Sequence, residues 1–299
     1  MKAKLGIAPI GWTNDDLPEL GGDIPLETCL ADSQAAGYSG MERGGKFPKT
    51  AEEMLSVLGQ YDLQLASGWY SGTVLDNDLE AEKDQAREQI DLFKAVGCAC
   101  IVYGETAGSI QGDRNAPLNG RRRLSNDQIR DYGQRLTSFA EFCADEGMPL
   151  AFHHHMATAI ETEQDLDALM AHTGEAVGLL YDAGHMAFAG GDILRVIDNH
   201  GPRIVHVHTK DVRNAIIHGI DRDRVSFLDA VIQGAFTVPG DGSIDFDTVI
   251  RRLADNGYEG WFIVEAEQDP AKASPAEFAR IGYDSLVRSL NKAGYEIVR

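Results

Sequence analysis

Short apolar runs alternate with longer amphipathic segments along the whole chain. The short runs predict strands at 4–9 (KLGIAP), 38–42 (YSGME), 63–68 (LQLASG), 99–103 (ACIVY), 149–154 (PLAFHH), 177–182 (VGLLYD), 203–208 (RIVHVH) and 260–265 (GWFIVE). Between them, apolar residues recur at helical spacing. Residues 80–96 set Ile90, Leu92 and Phe93 among charges, and 127–146 carries Ile129, Leu136, Phe139 and Phe142. Segments 25–36, 245–256 and 275–293 follow the same rule, the first opening with Pro25 at its first turn. Parallel neighbours need long crossovers, so eight strands separated by helices predict a parallel sheet. The count of eight points to a closed (β/α)8 barrel, a TIM barrel, spanning 1–299 as one catalytic domain. The competing architecture is an open doubly wound sheet. It is disfavoured because GWTNDD, rather than a Gly-rich dinucleotide fingerprint, follows the first strand. Two long loops, 108–123 and 233–243, are expected as surface turns or lids over a site.

Composition narrows the partners. A net charge of −20 over 299 residues argues against nucleic acid and anionic membranes, both of which call for clustered Lys and Arg. No run approaches the length of a membrane span, and the apolar stretch before Trp12 is too short for a signal peptide. Cys29, Cys98, Cys100 and Cys143 match no zinc or redox spacing, so a reduced, cytoplasmic protein is expected.

In a barrel, reacting groups come from the C-terminal ends of several strands. Here those ends carry polar residues that a core does not need. Glu42 ends the second, with Lys46 close behind, and Trp69 ends the third. Glu105 follows the fourth; His153, His154 and His155 end the fifth; Asp182 ends the sixth, three residues before His185. The seventh ends in His206 and His208, followed by Lys210 and Asp211, and the eighth in Glu265 and Glu267. Strand alternation puts His153 and His155 on one face, His206 and His208 on one face, and Glu265 and Glu267 on one face, with His154 turned away. Imidazoles and carboxylates meeting at the barrel mouth suit a divalent transition ion such as Mn²⁺, Co²⁺ or Zn²⁺. Such a mixed set with open positions is of the catalytic type.

At these residues the chain resembles the xylose isomerase-like barrel superfamily, through DAGH (Asp182, His185), HVHTKD (His208, Lys210, Asp211) and Glu265. More closely, GIAPIGWTNDD, MERGGKFP, FHHHMAT, YDAGHMAFAGGD, HVHTKDVR and VEAEQDP together resemble the inosose dehydratase family over nearly the whole chain. The resemblance implies a scyllo-inosose substrate, loss of water to a trihydroxycyclohexane dione in myo-inositol breakdown, and Mn²⁺ or Co²⁺ as activator. Glutathione is a further cofactor that it brings in, and a homodimer or tetramer is the assembly expected. It places metal ligands at Asp182, His208 and Glu265. The superfamily's fourth ligand, a Glu after the fifth strand, is replaced here by the FHHH run. His153, His155 or, a little downstream, Glu161 is left to fill that place, and Glu267 competes with Glu265.

Loss of water beside a ketone needs a base for the α proton, a group that holds the developing negative oxygen, and an acid for the leaving hydroxyl. A metal serves the second need. His185, Glu42, Lys46, Glu105 and Lys210 are the candidates for the others. Lys46 and Lys210 are alternatively stabilisers of the oxyanion. Trp12, Trp69, Arg213 and Glu267 are candidate substrate contacts, the two indoles by stacking on a carbocycle. The alternative chemistry on the same fold is a metal-dependent ketose epimerase or isomerase. A DNA-repair endonuclease of the same barrel superfamily is opposed by the charge.

Overall fold

A computed structural model describes residues 1–299. Eight parallel strands close into a barrel: β1 (Lys2–Ile7), β2 (Gly40–Arg43), β3 (Gln64–Gly72), β4 (Ile101–Glu105), β5 (Leu150–His153), β6 (Val177–Asp182), β7 (Ile204–His208) and β8 (Gly260–Val264). Each pairs with its sequence neighbour, and β8 pairs back onto β1 to close the ring. A further strand, Glu296–Val298, pairs with the start of β1, below the point where β2 begins. The expected helices appear as Leu26–Ala36, Leu79–Val96, Asn126–Asp145, Phe246–Asp255 and Pro275–Lys292. Their apolar faces pack on the outward-facing residues of the strands. Phe93, Leu136 and Phe139 join Ile101, Tyr103, Leu150 and Phe152 in the main core. The helices Ala51–Gly59, Glu163–Met170 and Ile193–His200 complete the outer layer.

Strand alternation prepares the site. Inside the barrel, Cys100, Val102, Ala151 and Leu180 form a separate small apolar cluster. One step further along each strand, on the same face, stand the polar groups of the mouth: His153 two residues after Ala151, and Asp182 two after Leu180. Two register shifts re-aim what alternation alone would not. One falls between Met41 and Glu42 against β3, so that Glu42 sits opposite Ser67; the other, between Leu179 and Leu180 against β7, sets Leu180 opposite His206 and Asp182 opposite His208. A bulge turns a strand's side chains without breaking its pairing, and bulges gather next to sites.

The two long loops are packed structure. Within 108–123, Leu118 is buried and its N–H donates to the Val225 carbonyl, while Arg121 is buried beneath Glu161 and Asp165. Within 233–243, Phe236–Thr237 pairs antiparallel with Asp211–Val212. Leu17, Leu118, Met156, Phe188, Phe227 and Phe236 make a second apolar cluster beside the barrel mouth. β3 runs on to Gly72, which places Trp69 within the strand rather than at its end. No helix is long and apolar enough to cross a membrane.

Candidate active site and metal centre

Four strand ends converge. Donor atoms of His153, Asp182, His208 and Glu265 lie within 4.8 Å of one another, and all four residues are buried. Of the three residues left open for the fifth-strand place, His153 is the one that stands in this cluster. His155 faces a second group, with His185 and Glu267. Glu161 lies elsewhere, accepting from the Ala157 N–H and paired at 3.3 Å with Arg121.

Each member of the cluster has its other polar atom engaged. His153 Nδ1 donates to the His154 carbonyl at 2.5 Å, which leaves the Nε2 lone pair free. Asp182 Oδ1 accepts from the His185 N–H at 2.8 Å, while its Oδ2 is buried without a hydrogen-bond partner. His208 Nε2 donates to Glu42 at 3.1 Å, and its Nδ1 lies 2.5 Å from Glu265 Oε2. Glu265 Oε1 receives the Lys210 ammonium at 2.6 Å. Glu42 is itself fixed by Ser67 at 2.5 Å and His206 at 2.9 Å. Outer partners that set the tautomer and direction of each donor are what a metal centre requires.

The residues fit a divalent ion. Asp182 Oδ2 lies 3.7 Å from His153 Nε2 and 3.5 Å from His208 Nδ1. Two bonds of about 2.1 Å meeting near the tetrahedral angle span about 3.4 Å. The shorter His208–Glu265 approach, 2.5 Å, is a charge contact that a bound ion, taking both donor atoms, would replace. Burial disfavours an imidazolium at His208, yet Glu265 and Glu42 hold its pKa well above the ordinary value. Burial also works against the Glu265 carboxylate, but His208 and Lys210 keep it ionised. His153 is held well below the usual imidazole range, first by burial and then by His208. The orphaned oxygen of Asp182 completes a donor set of two nitrogens and two carboxylate oxygens around one point.

A cavity of about 360 Å³ opens above this point. Glu42, Trp69, His153, His155, His208, Glu265 and Glu267 line it. Trp69 stands edge-on to His153 and His155 at 5.7 and 5.8 Å. The His155 Nδ1–H donates to the Met156 carbonyl, and burial, with the Lys210 charge, pushes its pKa down to about 4. Burial pushes Glu267 up to about 7 against the pull of Lys210.

Several expected contacts are not at the cavity. The Trp12 indole is buried, its N–H bonded to Asp32 at 2.9 Å, so it braces the first loop and stacks on nothing in the site. Lys46 is exposed and caps the carbonyls of Gly21, Gly22 and Ile24. Arg213 ties Gly234 and Phe236 carbonyls to Asp241 within the antiparallel ribbon. Glu105 is buried behind the strand end, accepting from Tyr103 and from the Leu75 and Ala107 N–H groups. His185 and Lys210 are fully buried beneath the floor of the cavity and do not line it. The strand-end rule cannot separate these from true lining residues, because it says which end of a strand a residue occupies and not what the next loop does with it. Conversely, Asn14 and Gln111 line the cavity, each with one buried polar atom unpartnered, and both escaped the strand-end reading. The polar NDD run in the loop after the first strand was the available signal for Asn14.

Comparison with known proteins agrees with the barrel fold. The model of the xylose isomerase-like TIM barrel family matches residues 30–287. An inosose dehydratase of Geobacillus thermodenitrificans is 43% identical over 93% of this chain and 94% of its own. The chain belongs to the inosose dehydratase family, within the xylose isomerase-like TIM barrels. A rhizopine catabolism protein, MocC, of Rhizobium meliloti is 46% identical over 99% of this chain and 91% of its own. Among solved structures, the IOLI protein with a bound zinc atom superposes with a TM-score of 0.69 at 17% identity, covering 97% of this chain and 99% of its own, which supports the fold.

Proposed function

We propose that this member of the family is a hydro-lyase that removes water from scyllo-inosose, a cyclic polyhydroxy ketone, and that Mn²⁺ or Co²⁺ is its working ion. The observation that carries the reading is the four-donor cluster at the cavity floor, each donor with its second atom already committed. An ion held by His153, Asp182, His208 and Glu265 would polarise the ketone and draw an adjacent hydroxyl into register. The chain's own groups supply the proton transfers. His155 and Glu267 line the cavity on the side of the second cluster and have the required chemistry, a free imidazole lone pair and a carboxyl group.

The proton on the carbon beside the ketone passes to one of this pair. The C–O bond on the next carbon breaks, and its hydroxyl leaves as water with a proton from the other. Because the deprotonated carbon carries a hydroxyl of its own, the product is an enol that rearranges to the dione. Trp69 covers the ring and helps exclude water. Asn14 Nδ2 and Gln111 Oε1 offer a free donor and a free acceptor to hydroxyls on the far edge. Incubation with scyllo-inosose and Mn²⁺, followed by mass spectrometry, tests the reading. A product one water lighter is expected, whereas an isomer of unchanged mass would assign the chain to epimerisation. Glutathione belongs in the same assay as an added component.

A further inference from the structure

We propose that the Lys210 ammonium occupies a second cation site, and that this side chain is what limits the centre to one metal ion. Lys210 is completely buried. Its Nζ lies 2.6 Å from Glu265 Oε1, 2.7 Å from Glu267 Oε1 and 2.8 Å from His185 Nε2. These three contacts use all three N–H donors of the ammonium, so it has none left for a substrate. Its neighbours are those of a metal. Donor atoms of His155, His185 and Glu267 lie within 4.8 Å of one another, and His185 Nε2 stands 3.7 Å from Glu267 Oε1, the span that two ligands of one ion would have. Glu265 faces both positions, one oxygen toward His208 and the other toward Lys210. A carboxylate so placed is a ready bridge between two ions.

The packing shows that the position is built for the lysine. A Cβ on Gly184 would fall 2.6 Å from Lys210 Cγ and 2.8 Å from its Cβ, so the DAGH turn has a glycine where the stem passes. The ring of Phe236 lies 4.8 Å from the ammonium on another side. A fixed single charge here does two things that a second ion would do differently. It holds Glu265 with one oxygen turned to the first site, and it leaves His155 free of any metal, with its lone pair available. Lys210 is on this account a positioning residue, and the inference concerns the number of ions rather than the reaction.

The test is metal content. Purified Lys210→Ala and the wild-type protein are equilibrated with excess Mn²⁺, desalted, and measured for bound metal per chain. The variant is expected to hold one ion more than the wild type. Lys210→Arg, which keeps the charge, is expected to match the wild type. Asp182→Asn separates this inference from the reading of the first centre: Asp182→Asn alone is expected to lose one ion, and Asp182→Asn/Lys210→Ala to regain one. The inference rests on the difference between variant and parent, so it survives even a wild-type protein found without metal. If Lys210→Ala folds only when refolded with Mn²⁺, and then carries the extra ion, the inference stands. Equal metal content in Lys210→Ala and wild type, or a variant that Mn²⁺ does not rescue, overturns it.

Discussion

Asp182 shows how much a single side chain does here. One oxygen caps the helix Ala183–Ala189 by accepting from His185 N–H, and the other is buried and unpartnered among the donors. Asp182→Asn keeps the capping oxygen and replaces only the donor. We expect metal affinity and turnover to fall together by at least ~10²-fold, with the helical circular dichroism unchanged. Metal titration beside an activity assay checks this, and wild-type affinity in the variant would contradict it. His154 is the opposite case. It is fully buried, turned away from the site, and neither ring nitrogen has a partner. Burial pushes its pKa down to about 4. The unfolded chain takes up this proton near pH ~6.5. The stability contribution of His154 is therefore complete above that pH and is lost as pH falls toward 4. At about 1.4 kcal/mol per unit the loss is roughly 3 kcal/mol. Denaturant titrations of wild type and His154→Leu should diverge in the variant's favour across that window, and parallel curves would show that His154 is not the group responsible.

At the scale of elements, the strand ends were legible because period-2 alternation is a backbone property and each end carried a conspicuous polar residue. That reading placed His153, Asp182, His208 and Glu265 among the candidates. The choice of Asp182, His208 and Glu265 as ligands came from the family resemblance, which left the fifth-strand place open between His153, His155 and Glu161. Two things were illegible. The register shifts at Met41/Glu42 and Leu179/Leu180 depend on how neighbouring strands pair, which no single strand encodes. The burial of Trp12 and Glu105, and the diversion of Lys46 and Arg213 to backbone carbonyls, depend on loops that fold back, and polar residue type alone does not report it. Glycines show the same dependence on neighbours. A Cβ at Gly104 would lie 1.9 Å from the Trp69 ring, so β4 yields the space in which that ring stands. Gly104→Ala should cost about 1–3 kcal/mol and displace Trp69. A Trp fluorescence change together with a raised KM is the expected signature, and an unchanged spectrum would show that the indole does not need this gap.

Over the whole molecule, the alternation of strand and helix identified the barrel, while the charge of −20 bore only on what the protein avoids binding. Its four cysteines are free, and three of them, Cys29, Cys98 and Cys143, have thiols pushed up to about 12 by burial. At pH ~8 a thiol of that pKa is ionised to only about one part in 10⁴. A disulfide reagent should therefore modify the folded protein slowly and all four thiols rapidly in denaturant; a fast-reacting thiol in the native protein would contradict this packing. The central claim is that four strand ends combine their side chains into one ion site that makes the ketone reactive. The direct measurement is the initial rate of water loss from scyllo-inosose as Mn²⁺ is titrated into chelator-stripped protein. The account predicts no turnover without metal and a rise that saturates at one ion per chain, and full activity in the stripped protein would contradict it.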